Sequence, residues 1–216
     1  MARPILFYTK MPAGEWFEEA LNFGGASGLL LGLWITIAIF ITQYIGLMQT
    51  LTEGLTPLKL LIVSPVIIIF VLVISLMTFL IAGGIITGFF LLAFYILGTV
   101  LHFSLRILGG KGNFFEMVKA MFYSLGMVQA GGLLAILAIL TRWHLLNFGL
   151  FVIGENIVYY GTALYTYGLW SIAGKKVHNV PRWKAFAAAV IPILLVILFN
   201  LALNRFLLPR LERWLI

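Results

Sequence analysis

The stretch LHFSLRILGGKGNFFEMVKAM, Leu101–Met121, decides how this chain folds. An apolar run of membrane length ends here at Arg106. Gly109, Gly110 and Gly112 follow, and glycine readily takes the left-handed backbone conformations that close helices. The spacing predicts a tight turn in which these three glycines are structural, with positive φ at Gly109 or Gly110. Lys111 and Lys119 are expected to hold the turn at the lipid headgroups, and Phe114 and Phe115 to open the next helix.

Composition sets the class. Of 216 residues, 62% are hydrophobic and 10% charged, where a soluble domain carries about 25% charged residues. About 20 apolar residues cross a bilayer once. The chain therefore predicts an all-α, polytopic transmembrane bundle of five to six spans with an interfacial helix at each end. Residues 1–27 form the N-terminal interfacial segment, 28–205 the transmembrane domain and 206–216 the C-terminal interfacial tail. No signal peptide is expected. The net charge of +7 comes from short segments between spans. It fits attraction to membrane lipids and the bias of basic loops toward the cytoplasm, and no nucleic-acid partner is expected.

Working outward, Leu60 to Leu108 is apolar for almost its whole length. One straight helix of that size would be roughly 70 Å long against a ~30 Å hydrocarbon core. Pro65 and Gly83-Gly84 are the available breaking points, and a hairpin of two spans, about 62–82 and 85–107, is the simplest solution. A single crossing places more Lys and Arg on one side, so charge favours five crossings and length favours six. Gly28 to about Met48 is the first span, with Gly28 and Gly32 spaced for close helix approach. Phe114 to about Leu140, Leu145 to Ala173 and Ala185 to about Asn204 are the later spans. The turns around Lys111 and Lys175 are separated by two spans and share one side, placed in the cytoplasm.

The residues of the opening stretch also carry a resemblance. Leu101-His102, then Leu108-Gly109-Gly110 and Phe115, then Tyr123-Ser124 resemble the Yip domain of Ypt/Rab-interacting membrane proteins. Gly168-Leu169, His178, Trp183-Lys184-Ala185 and Pro192 continue the pattern, and Pro12 with Trp16-Phe17 looks like the bacterial members. The resemblance covers roughly residues 10–205. It implies a five-pass bundle with a cytoplasmic N-terminus, in the inner membrane of a bacterium. For eukaryotic relatives it implies adaptors that bind prenylated small GTPases in vesicle traffic.

The candidate polar site centres on Glu155, the only carboxylate inside a long apolar stretch and costly there unless partnered. Asn156, Tyr160 and Tyr167 share a face of the same predicted helix. Asn200 and Asn204, four apart in the last span, are placed on the same crevice, and His102 is offered as a partner of Glu155. Interhelical hydrogen bonding is the structural alternative for each. The chain has no Cys, hence no disulfide, thiolate site or Cys nucleophile. It has no Asp either, and its three His are scattered, so no metal, no cofactor and no enzymatic activity are expected. LGGKG at Leu108–Gly112 lacks the Lys-Ser/Thr ending of a phosphate loop and follows a membrane helix. The expected function is that of a membrane adaptor or organising factor, bound to other membrane proteins or to itself. A small transporter or lipid translocator using Glu155 and the tyrosine-rich helix, and an accessory subunit of a larger complex, are the alternatives.

Overall fold

The computed structural model describes Tyr8, residues 17–44, Thr50 and residues 52–215. The expected N-terminal interfacial helix, with Pro12, Glu15 and Trp16, falls mostly outside them. Seven helices account for most of the rest: α1 Phe17–Ile39, α2 Pro57–Ile107, α3 Phe114–Ser124, α4 Gly131–Arg142, α5 Phe148–His178, α6 Arg182–Phe206 and α7 Leu208–Leu215. A π-helical turn, Phe40–Tyr44, extends α1, and a 3₁₀ segment, Leu125–Ala130, joins α3 to α4. Among the described residues, four segments are long and apolar enough to cross a membrane: Phe17–Gln43, Pro57–Ile107, Phe114–Arg142 and Arg182–Phe206.

The hairpin expected within 60–108 does not form. α2 runs unbroken for 51 residues through Pro65 and both glycines. The physical reason lies at the crossing with α1. A Cβ on Gly32 would stand 2.5 Å from Gly83 Cα, and one on Gly28 would stand 2.7 Å from Thr87 Oγ1. Gly28 and Gly32 set this close approach, whereas a Cβ on Gly83 itself would meet side chains only, Phe79 at 3.5 Å and Leu29 at 3.6 Å. Gly28 and Gly32 do what their spacing predicts. Pro65, early in the helix, removes one backbone hydrogen bond, and Ser64 Oγ donates to Leu61 O at 3.1 Å beside it.

The turn after α2 is a Schellman closure. Gly109 has φ of 88°. Gly110 N–H donates to Leu105 O at 2.8 Å and Gly109 N–H to Arg106 O at 3.0 Å, so the last carbonyls of α2 are satisfied. Lys184 Nζ donates to Leu108 O at 2.8 Å, a cation at the negative end of the helix dipole. Asn113 then caps α3 through Oδ1, which accepts from Phe115 N–H at 2.8 Å. The turn docks on the end of α5: Lys111 N–H donates to His178 O at 3.2 Å. The two basic turns therefore lie together at one end of the bundle.

The core lies next to that end. Leu101 and Leu105 of α2, Met117 and Met121 of α3, Leu169 and Trp170 of α5, and Ala185, Ala188 and Ala189 of α6 pack into one buried cluster. Trp170 meets Phe94 edge-on at 5.9 Å and donates from Nε1 to Ser124 Oγ at 2.9 Å, so its polar edge is satisfied inside an apolar core. Lys119 departs from expectation. It is 2% exposed on α3, a helix whose buried residues from Met117 to Phe122 form an unbroken run, so this lysine cannot anchor the turn at the headgroups. The C-terminal tail is helical, as α7, and Leu215 is buried while Arg210 and Arg213 stay exposed.

Candidate functional site

Glu155 lies in the second turn of α5, after Asn147 caps that helix by accepting from Leu150 N–H at 2.8 Å. It is half-buried and faces α6. Asn200 Nδ2 donates to Glu155 Oε1 at 3.4 Å. One helical turn further along α6, Asn204 Nδ2 donates to Asn156 Oδ1 at 3.2 Å. Asn156 Nδ2 in turn donates to Val152 O at 2.8 Å. Tyr159 OH donates to Val196 O at 2.7 Å. These residues form a continuous polar seam between α5 and α6. Asn200 is fully buried. Two atoms on the seam, Glu155 Oε2 and Asn200 Oδ1, are buried without a hydrogen-bond partner among the described residues.

The structure separates the other predicted members from this seam. Tyr160 is 38% exposed, with its ring edge-on to Tyr159, centroids 5.9 Å apart. Tyr167 donates from OH to Phe186 O at 3.1 Å and stacks edge-on to the same residue. It ties α5 to α6 nearer the other end. His102 is the clearest correction. It packs against His178 with ring centroids 4.8 Å apart. Residues 155 and 178 are about 35 Å apart along one helix at 1.5 Å per residue, so His102 cannot pair with Glu155.

His178 carried part of the family resemblance but was not counted among the candidate site residues. It follows the basic pair Lys175-Lys176, beyond the apolar stretch that ends at Ala173, and looks like a loop residue. It is instead 1% exposed, and Gly112 N–H donates to its Nδ1 at 3.2 Å. Burial first, then His102 and Arg106, push this imidazole down to about 4. With Nδ1 accepting, the ring's own proton sits on Nε2, which leaves no lone pair there for a metal. A Cβ on Gly110 would stand 2.7 Å from His178 Nδ1, and one on Gly112 would strike the Val177 carbonyl. The glycines and the imidazole are thus one interlocked unit. The tight turn and a positive φ at Gly109 or Gly110 were legible in the spacing, and Gly109 is the one that takes it. The contact across 66 residues was not.

The ordered features of the opening stretch now stand in one place: a closed α2 terminus, a glycine turn and a histidine at the end of α5. A family model described as the Yip1 domain matches residues 12–203. The chain belongs to the Yip1 family. The Yip1 match takes in α1 through most of α6, hence both the histidine unit and the Glu155 seam. No curated protein and no solved structure matches the chain.

Proposed function

We propose that this Yip1-family membrane protein is a non-enzymatic adaptor or membrane-organising factor of a bacterial inner membrane. It crosses the bilayer five times, with α5 as the fifth crossing beside the four apolar segments, and its 109–113 and 179–181 turns face the cytoplasm. The observation that carries the reading is the first half of α2. From Leu58 to Ile81, large apolar side chains on every side of the helix are exposed, among them Leu61, Ile62, Val66, Ile69, Leu72 and Leu76. Packing against other membrane helices fits such a bare flank better than an internal transport path does.

The chain has no Cys, so single cysteines report without background. Ile62→Cys, Ile69→Cys and Leu76→Cys should each cross-link in native membranes to one membrane protein or to a second copy. Cross-links to lipid alone at all three positions would overturn the adaptor reading. Lys111→Cys and Asn179→Cys should both label from the cytoplasmic side of sealed vesicles, and opposite accessibility would refute the topology. A small transporter is the second reading, favoured by the two unpartnered atoms at Glu155 and Asn200. Under it, Glu155→Gln keeps the fold and abolishes substrate movement. Under the adaptor reading that variant is silent.

A further inference from the structure

Glu155 and Asn200 meet between α5 and α6 through one bond, Asn200 Nδ2 donating to Glu155 Oε1 at 3.4 Å. The other atom of each group, Glu155 Oε2 and Asn200 Oδ1, is buried and has no hydrogen-bond partner among the described residues. Both are acceptors when the carboxyl is ionised. The donors along the seam are directed elsewhere: Tyr159 OH to Val196 O, Asn156 Nδ2 to Val152 O and Asn204 Nδ2 to Asn156 Oδ1. The side chains facing the pair are neutral. α6 presents Asn200 and Asn204, α4 sets Leu137 against the neighbouring Gly154, and α2 reaches this level through Phe89, whose ring lies 5.8 Å from that of Phe199. Tyr159, on the same helix, is the titratable group that feels the charge of Glu155. Arg142 ends α4 and Arg205 follows Asn204, and neither bonds to Glu155 Oε2.

The pair therefore lacks one hydrogen. A carboxyl and a carboxamide joined by one N–H···O bond can close a second, in which the acid O–H donates to the amide oxygen. The two orphaned atoms are the ones that this ring needs. Turning the Asn200 amide over does not remove the need, because its oxygen would then face Glu155 Oε1, again acceptor against acceptor. We propose that Glu155 is a neutral acid in the folded protein and that its proton, held between Glu155 Oε2 and Asn200 Oδ1, is a latch between α5 and α6. A proton needs no cavity, so it fits two atoms that have no accessible surface, where a metal ion or an organic ligand would need room beside them. Removing the proton leaves a buried carboxylate facing an amide oxygen with no cation to compensate it, which is costly. The two helices should then part at this end, where Tyr159 and Asn204 supply the remaining bonds. The latch operates whether or not anything moves along the seam.

The test uses the full chain in vesicles of phosphatidylglycerol and phosphatidylethanolamine. At neutral pH its infrared spectrum should contain a protonated-carboxyl band that is absent from Glu155→Gln, and alkaline titration should remove it. The chain has no Cys, so spin labels at Leu150→Cys and Phe206→Cys, exposed near the start of α5 and the end of α6, report the spacing of the two helices. Their distance should lengthen as the band disappears. In Glu155→Gln, whose carboxamide still offers a donor to Asn200 Oδ1, the distance should stay short across the same titration. Should that variant fail to fold, the distance titration of the labelled parent still decides. Absence of the band at neutral pH, a distance that stays constant while the band is lost, or a distance that lengthens equally in Glu155→Gln would overturn the proposal.

Discussion

The two halves of α2 have nearly the same composition and opposite surroundings. From Phe94 to Leu105 one face of the helix is buried against α3, α5 and α6, with Leu101 and Leu105 fully buried, while Ile96 and Phe103 on the other face are exposed. From Leu58 to Leu80 most of its large apolar side chains are exposed, Leu61 at 73%, and Val71 is a buried exception. Hydropathy cannot separate these halves, because lipid tails and protein cores are equally apolar. What separates them is small residues and polar tethers. The enclosed half has Gly98, where a Cβ would stand 3.0 Å from Met121 Cγ, and the glycine turn locked to His178. The bare half has neither. In a membrane, helix association comes from close approach and hydrogen bonds more than from apolar area.

The largest effect should come from breaking the enclosed end. Gly110→Val places a branched side chain against His178 Nδ1 and the Leu105 carbonyl. It should cost ~3 kcal/mol and most of the folded yield, measured by thermal unfolding in detergent. An unchanged melting temperature would show that the turn can open without loss. Next in size, Gly32→Leu forces α1 off Gly83, whose Cα leaves no room for a Cβ. It should cost ~2 kcal/mol, and here the neighbour is backbone, so side-chain adjustment cannot relieve it.

A pH dependence sharpens the same contrast. His178 is held down to about 4 in the fold, against an ordinary value near 6.5. Between those values the unfolded chain binds more protons, so stability is complete above about 6.5 and falls as pH drops toward about 4. His178→Gln, which retains an acceptor for Gly112 N–H, should flatten that part of the melting-temperature profile. A slope identical to that of the parent would assign it to other groups. The smallest effect belongs to the bare half: Leu61→Ala should change stability by less than ~0.5 kcal/mol in detergent. A larger loss there would mean that something covers this face.

The closing turn was legible because helix closure is local: the helix end at Arg106 and the glycines that follow it sit within a few residues, although the Asn113 cap beside them was not read. Gly28 and Gly32 were legible for the same reason, since their spacing alone states close approach. Gly83-Gly84 were misread as a breaking point because glycine is tolerated inside a membrane helix, and a Cβ at either position would meet nothing closer than 3.5 Å. Within the polar site, Glu155, Asn156 and Asn200 came together because helix periodicity places them. His102 lies near the closing end of α2, whereas Glu155 lies near the start of α5 at the opposite end of the bundle, so the two do not meet. Lys119 was assigned to the surface by charge, yet α3 is buried around its whole circumference there.

α2 has a further consequence for the bilayer itself. At 1.5 Å per residue its 51 residues span about 77 Å, more than twice a ~30 Å hydrocarbon core. The closed end is pinned by the turn and the core, so the mismatch falls wholly on the bare half. That half must slant far from the membrane normal or lie along the opposite leaflet. Either way it displaces acyl chains from one leaflet and not the other. An imbalance in leaflet area is relieved by curvature, which is the route by which the membrane-organising role proposed above would draw on the length of this helix.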